Sequence, residues 1–271
     1  MGPNAVTEEE HDGRRIAFVD ADNTLWDTDG VFAVAQLNLL ESIERAVGHS
    51  TARSDRLSFV RGVDQALAEQ HHLGLRYPPR LLAIGIAFAL RGDEAGTAAK
   101  RAWEERSTSS GIDPSLVEQI EREFVQYIRR MPDLLPGVRN GLQRLFDGGV
   151  LILVLTEGAR NRVIQTADQH GLNQFFDRVI EAPKSERLFQ RVQKLARVRL
   201  PAFMIGDQLQ RDIAPAKAAG LVTIYIPSRF RPQWEPDEAA VGPDYRVEQF
   251  DQGADIILAT NQQAGSSLGR P

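Results

Sequence analysis

Two aspartates one residue apart, Asp20 and Asp22, stand directly after the apolar run Ile16-Ala17-Phe18-Val19 and before Asn23-Thr24-Leu25-Trp26. The apolar run reads as a short buried strand, so the pair sits where that strand ends. Like charges a few ångströms apart raise each other's pKa or demand a cation, and a chain that builds such a spot has a use for it. Other apolar runs end in reactive groups in the same way. Val150–Leu155 leads into Thr156, Glu157 and Gly158, and Ala202–Ile205 leads into Gly206-Asp207, with Asp212 five residues beyond Asp207. Lys184 lies in a loop after a short strand at Arg178-Val179-Ile180. Carboxylates with no histidine nearby suit a hard cation held by oxygen, and Mg2+ fits because it takes few protein carboxylates and keeps several waters. One lysine and one hydroxyl suit an anion such as phosphate. An aspartate beside such a cation can be a covalent nucleophile, and a second one two residues on can serve as acid and then base. Together these parts fit phosphoryl transfer: orient the group, neutralise its oxygens, attack in line.

The elements that carry these residues have to bring them to one place. From Val138 onward buried strands alternate with helices: a helix at Val138–Phe146, a strand at Val150–Leu155, a helix at Asn161–His170, the strand at Arg178–Ile180, a helix at Ser185–Arg197, a strand at Ala202–Ile205, a helix at Ile213–Ala219 and a strand at Leu221–Ile226. Alternation of this kind means crossover units on a parallel sheet. In such a sheet ligands bind beyond the carboxyl ends of the strands, so topology gathers groups far apart in sequence. Between the first strand and this region the pattern is helical: Val31–Val47, Ser54–His71 with Ser54 as N-cap, an apolar helix from Pro79 to Arg91, Asp93–Arg106, and Asp113–Arg130 opened by the capping pair Asp113-Pro114. Beyond Pro227 the expectation is a short strand at Tyr245–Phe250 and a helical turn at Ala254–Leu258.

At this point the chain resembles the haloacid dehalogenase superfamily of aspartate-nucleophile phosphohydrolases. Asp20-Ala21-Asp22-Asn23-Thr24 matches that family's Asp-x-Asp-x-Thr, Thr156 its Ser or Thr after an apolar strand, and Lys184 its lysine ahead of a helix. Gly206-Asp207-Gln208-Leu209-Gln210-Arg211-Asp212 matches its Gly-Asp-x-x-x-x-Asp. The resemblance implies an α/β fold, a Rossmann-like parallel-sheet core with an inserted all-helical cap domain. The expected organisation is a flexible leader over 1–14, a core of 15–30 and 131–260, a cap over 31–130 and a disordered tail over 261–271. Hinges are expected near Thr28–Val31 and Met131–Gly137. The resemblance further implies that Asp20 attacks phosphorus and binds Mg2+. Asp22 protonates the leaving oxygen, activates water and offers its backbone carbonyl to the metal. Thr156, the backbone N–H groups after it at Glu157, and Lys184 hold or balance the phosphate. Asp207 binds Mg2+, and Asp212 binds it directly or through water. Ser185 replaces a common proline and is expected to loosen its turn; Gln208 replaces a common serine. Relatives that act as dehalogenases usually lack an acid at the place of Asp22, which favours phosphate chemistry. A phosphomutase or 2-haloacid dehalogenase on the same core, and a non-catalytic regulatory protein of this fold, are the alternatives.

Other features have plainer readings. The side chain of Glu157 either touches substrate or faces solvent, with solvent favoured. Neighbouring helical residues such as His71 and His72 point about 100° apart and rarely share an ion. The arginines at 53, 56, 61, 76 and 80 could grip an anionic substrate tail, but a solvated helix face is favoured. Trp26 could wall a pocket, though packing near a hinge is favoured. The apolar run Leu81–Leu90 reads as a buried helix, with a place in a homodimer interface as the second reading. A formal net charge of −5 argues against a nucleic-acid partner. The absence of cysteine excludes disulfides and thiolate chemistry and fits a cytoplasmic location. With no apolar run long enough to span a bilayer, the expected partner is a small phosphorylated metabolite rather than a membrane.

Overall fold

Five consecutive residues, Ile16–Asp20, form strand β1 with every side chain buried, as a central parallel strand requires. In the computed structural model, which describes residues 15–70, 77–105, 111–196 and 201–266, β1 lies between β2 (Leu151–Thr156) and β4 (Ala202–Gly206). With β3 (Arg178–Glu181), β5 (Val222–Tyr225) and β6 (Tyr245–Arg246) the sheet order is β3-β2-β1-β4-β5-β6, and every neighbouring pair is parallel. This is the Rossmann-like sheet expected. The register sets the site. Val19 stands opposite both Val154 and Ile205, and Asp20 opposite Leu155. Thr156 and Gly206-Asp207 therefore follow within two residues of the level of Asp20.

The chain divides into two compact units: one ends at Asp27 and resumes at Asp133, and the other is Thr28–Pro132. In the sheet unit, helices α6 (Val138–Asp147), α7 (Arg160–Gln169), α8 (Glu186–Ala196), α9 (Ala214–Ala218), α10 (Glu238–Val241) and α11 (Phe250–Ser266) accompany the strands. One face of the sheet buries Ala17, Val19, Ile152, Val154, Phe203 and Ile205. The other buries Ile16, Phe18, Leu155 and Met204 around Phe189. The helical unit holds α1 (Thr28–Val47), α2 (Arg56–Glu69), α3 (Pro79–Leu90), α4 (Ala95–Glu105) and α5 (Pro114–Ile128). Its core is α3, where Leu81 to Phe88 are all buried. That burial accounts for the apolar run as far as Phe88.

Several boundaries differ from those expected. The N-cap of α2 is Asp55, whose carboxylate accepts from the Ser58 N–H at 2.9 Å, and not Ser54. Asp113 does cap α5, accepting from Ser115. Thr28–Val31 is the first turn of α1, and Asp133 and Leu135 are bonded through their backbones to Asp27 and Leu25. Only Tyr245–Arg246 pairs as a strand, because Phe250 turns in to start α11. The tail expected to be disordered is helical as far as Ser266. Phe250, Ala254 and Ile257 are buried along α11, and Gly141 of α6 leaves no room for a Cβ beside Phe250. This close approach, rather than helix propensity, holds α11. The leader, His71-His72 and Arg76 lie outside the described residues.

Two arginines of the helical unit are paired within it. Arg56 forks onto both oxygens of Glu44 at 3.0 and 2.8 Å, and Arg61 meets Asp29 at 2.7 Å. These two arginines are neither a bare solvated face nor free to grip a substrate tail. Asp64 of α2 accepts from the Tyr77 hydroxyl and, at 3.0 Å, from Gln36 Nε2, while Gln36 Oε1 is buried without a donor. Burial pushes the Asp64 carboxyl above its ordinary range, against the pull of Tyr77 and Gln36. The folded chain therefore keeps a proton on Asp64 that the unfolded chain releases above about pH 3.9. That stability is full below this value and is lost as pH rises through the folded one. Asp64→Asn carries a permanent donor that can satisfy Gln36 Oε1. The variant is expected to be more stable than the wild type by about 1 kcal/mol at pH 8, with the gain shrinking towards pH 4, as measured by urea unfolding at both pH values.

Candidate active site

The aspartate pair is shaped by the turn that follows β1. Asn23 has φ of 58°, a left-handed conformation that asparagine adopts more readily than most residues. The Asn23 N–H donates to the Trp26 carbonyl at 2.8 Å and the Leu25 N–H to the Ala21 carbonyl at 2.9 Å. The turn buries Trp26 in the sheet unit's core and points its indole at the site, where Nε1 donates to Asp22 Oδ1 at 3.2 Å. Trp26 is thus a core residue and also a partner of Asp22, a role the sequence reading missed. The signal was its place four residues after Asp22, inside a turn.

The second loop folds back on its own strand. The Gly158 N–H donates to Thr156 Oγ1 at 3.0 Å. A Cβ on Gly158 would fall 3.3 Å from Thr156 Oγ1 and 3.8 Å from Asp22 Oδ2, so the first and second motifs meet there. Beyond β4, residues Leu209–Ile213 form a π-helical turn that carries Asp212 inward. Asp212 Oδ2 accepts from the Gln208 N–H at 2.9 Å. A Cβ on Gly206 would lie 2.5 Å from Asp212 Cγ, so the motif needs glycine there for the carboxylate to fold over the strand end. The substitution at Gln208 enters this arrangement through its backbone. Ser185 does not loosen its turn, since its Oγ accepts from the Leu188 N–H at 3.2 Å and caps α8.

The parts converge. Lys184 Nζ donates to Asp20 Oδ1 and to Asp212 Oδ1, with the lysine side chain only 4% exposed. Oxygens of Asp20, Asp207 and Asp212 lie within 4.8 Å of one another, all three residues buried. Asp22 is not in this carboxylate group; its expected metal contact is through the backbone carbonyl. Burial, eased by Lys184 and reinforced by Asp212, pushes the Asp20 carboxyl up to about 7. Burial and the charges of Asp20 and Asp212 hold Asp207 well above the usual carboxylate range. Burial alone would lower the Lys184 ammonium, but Asp20 and Asp212 outweigh it and hold it above its usual range. Asp207 Oδ1 is buried without a hydrogen-bond partner. Crowded, dehydrated oxygens of this kind, one of them orphaned, fit a hard divalent cation such as Mg2+. Glu157 does not simply face solvent: Oε1 accepts from the Lys184 N–H at 3.1 Å and Oε2 from Arg211 Nη1 at 3.0 Å. Arg211, directly before Asp212, is a second residue the sequence reading missed.

The family model for haloacid dehalogenase-like hydrolases matches residues 15–220. A glyceraldehyde 3-phosphate phosphatase of Pyrococcus furiosus is 24% identical over 227 residues, 78% of this chain and 80% of that protein. A phosphoglycolate phosphatase of Pseudomonas savastanoi is 29% identical over 184 residues, 62% of this chain and 67% of that one. A glyceraldehyde 3-phosphate phosphatase of Methanopyrus kandleri is 24% identical over 48% of this chain, which spans 58% of that relative's length. Among solved structures, a haloacid dehalogenase-like hydrolase of Xanthomonas campestris shares the fold, with a TM-score of 0.62 at 20% identity over 94% of this chain and 95% of that one. With the sheet order, the four motifs gathered at one edge and the family model agreeing, the chain belongs to the haloacid dehalogenase-like hydrolases.

Proposed function

We propose that this hydrolase is a Mg2+-dependent phosphatase that removes phosphate from a small phosphorylated metabolite through an aspartyl-phosphate intermediate on Asp20. One observation carries the reading: a buried lysine bridges Asp20 and Asp212 beside Asp207. Asp20, Asp207 and Asp212, with the backbone carbonyl of Asp22, would hold the Mg2+. When bound, the ion supplies charge neutralisation for the phosphate oxygens and keeps Asp20 ionised. The phosphatases among its relatives favour a phosphate ester over a haloacid, as does the carboxylate of Asp22.

In this reading the Asp20 carboxylate attacks phosphorus in line, and the bond to the ester oxygen breaks. Asp22 gives its proton to the departing alkoxide. A water then attacks the same phosphorus, surrendering its proton to Asp22, and phosphate leaves with Asp20 restored. Thr156 Oγ1, the backbone N–H groups after it and the Lys184 ammonium face the phosphate oxygens and stabilise charge as it spreads over them. Trp26 Nε1 donates to Asp22 Oδ1 and so fixes the direction of that carboxylate. The helical unit, inserted between the first and second motifs, is read as the family's cap, where substrate selection resides.

Asp20→Asn is expected to lower kcat on the best substrate of a phosphorylated-metabolite panel by about 10,000-fold or more, with an unchanged circular dichroism spectrum and deamidation excluded by mass. Product analysis in the same panel separates hydrolysis from phosphoryl migration. Mg2+ at about a hundred times its Kd is expected to stabilise the wild type by about 2.7 kcal/mol. Asp207→Asn is expected to raise the metal-free melting temperature and to lose most of the Mg2+-dependent shift. A wild-type protein whose melting is indifferent to Mg2+ contradicts the metal assignment.

A further inference from the structure

Three loops have to agree for the lysine to stand where it does, and one side chain, itself on the first of them, touches the other two. Glu157 follows Thr156 at the end of β2. Its Oε1 accepts from the backbone N–H of Lys184, and its Oε2 accepts from Arg211, which precedes Asp212 in the π-helical turn. The loop between β3 and α8 is also held two residues earlier, where the Ala182 N–H donates to the Thr156 carbonyl at 3.0 Å. Lys184 is therefore gripped at both ends, its backbone by Glu157 and its ammonium by Asp20 and Asp212. A lysine stem is long and rotamer-rich, and fixing both ends removes freedom that would otherwise spread the ammonium over several positions. Arg211 adds a second effect. A bare carboxylate next to Thr156 would repel an incoming phosphate, whereas one paired at 3.0 Å with a guanidinium is balanced.

We infer that Glu157 is a positioning residue: its carboxylate ties the Lys184 loop to the turn that presents Asp212 and so fixes where the ammonium stands relative to Asp20. The inference rests on the phosphatase reading only for its kinetic consequence. Two variants separate geometry from charge. Glu157→Ala removes the acceptor; Glu157→Gln keeps an acceptor for the Lys184 N–H and gives up the ion pair.

The test is hydrogen–deuterium exchange of the peptide containing residues 182–185, read by mass spectrometry on the metal-free full chain, together with kcat and KM. In Glu157→Ala the peptide is expected to exchange several-fold faster than in the wild type. In the same variant kcat falls between about 10- and 100-fold, with a smaller change in KM. Glu157→Gln, which keeps the acceptor for Lys184 but loses the Arg211 tie, restores slow exchange at 182–185 and part of kcat, which general loss of stability would not produce. Should Glu157→Ala fail to fold, Glu157→Asp shortens the reach by one methylene and is read in the same way. Unchanged exchange at 182–185 on loss or shortening of the side chain overturns the inference, and so does a glutamine variant as impaired as the alanine one. A wild type that hydrolyses no phosphate ester overturns the phosphatase reading alone, because the exchange arm still decides the role of Glu157.

Discussion

The arrangement depends on one ion cluster: a single ammonium, Lys184, set between Asp20 and Asp212 with Asp207 beside them. Two like charges about 4 Å apart cost on the order of 4 kcal/mol at an effective dielectric of about 20. A domain's whole stability is only about 5–15 kcal/mol. Three buried carboxylates are therefore more negative charge than one lysine can balance. The raised positions of Asp20 and Asp207 express the same imbalance. A fold selected for stability alone would replace one of these acids, and their retention together is what an added cation and an arriving phosphate would account for.

The rest of the sheet unit serves to hold that cluster still. Parallel register brings Asp20, Thr156 and Asp207 to one edge. The loops then do the fine work. Gly206 leaves the space that Asp212 occupies, Asn23 permits the tight turn after Asp22, and Trp26 ties Asp22 to the core. Each device is local, yet each acts on a side chain that must meet partners from distant parts of the chain. Rigid strands set the level at which the groups emerge, and loop hydrogen bonds set their directions, in keeping with the general placement of functional residues on loops carried by a scaffold.

Much of this was legible in the sequence because the signals are short-range. Apolar runs such as Val150–Leu155 mark buried parallel strands, and reactive residues at their ends mark the site edge without any knowledge of contacts. What could not be read depends on contacts at long range. Helix α11 contains Gly253 and a glutamine-rich end and has a weak helical pattern; it is held by Phe250 and Ile257 in the core and by Arg15, whose guanidinium donates to the Ile257 carbonyl. Ser54 and Asp55 are both good caps by type, and only the fold decides that Asp55 is used. Glu157 and Arg211 are ordinary surface residues in sequence and become a pair only when β2 and the π-helical turn stand side by side.

The helical unit shows the opposite economy of charge. Its arginines at 56 and 61 are matched by Glu44 and Asp29, and its buried carboxyl Asp64 is answered by two donors. The sheet unit concentrates carboxylates around one lysine, whereas these pairs in the helical unit cancel locally. Strong unscreened charge is useful where a charged group must be bound and its oxygens neutralised, and it is a liability elsewhere. On that argument chemistry belongs to the sheet edge. Any selectivity residing in the helical unit has then to come from shape and neutral hydrogen bonding more than from a second cationic grip through Arg56 or Arg61, which their own carboxylates already occupy.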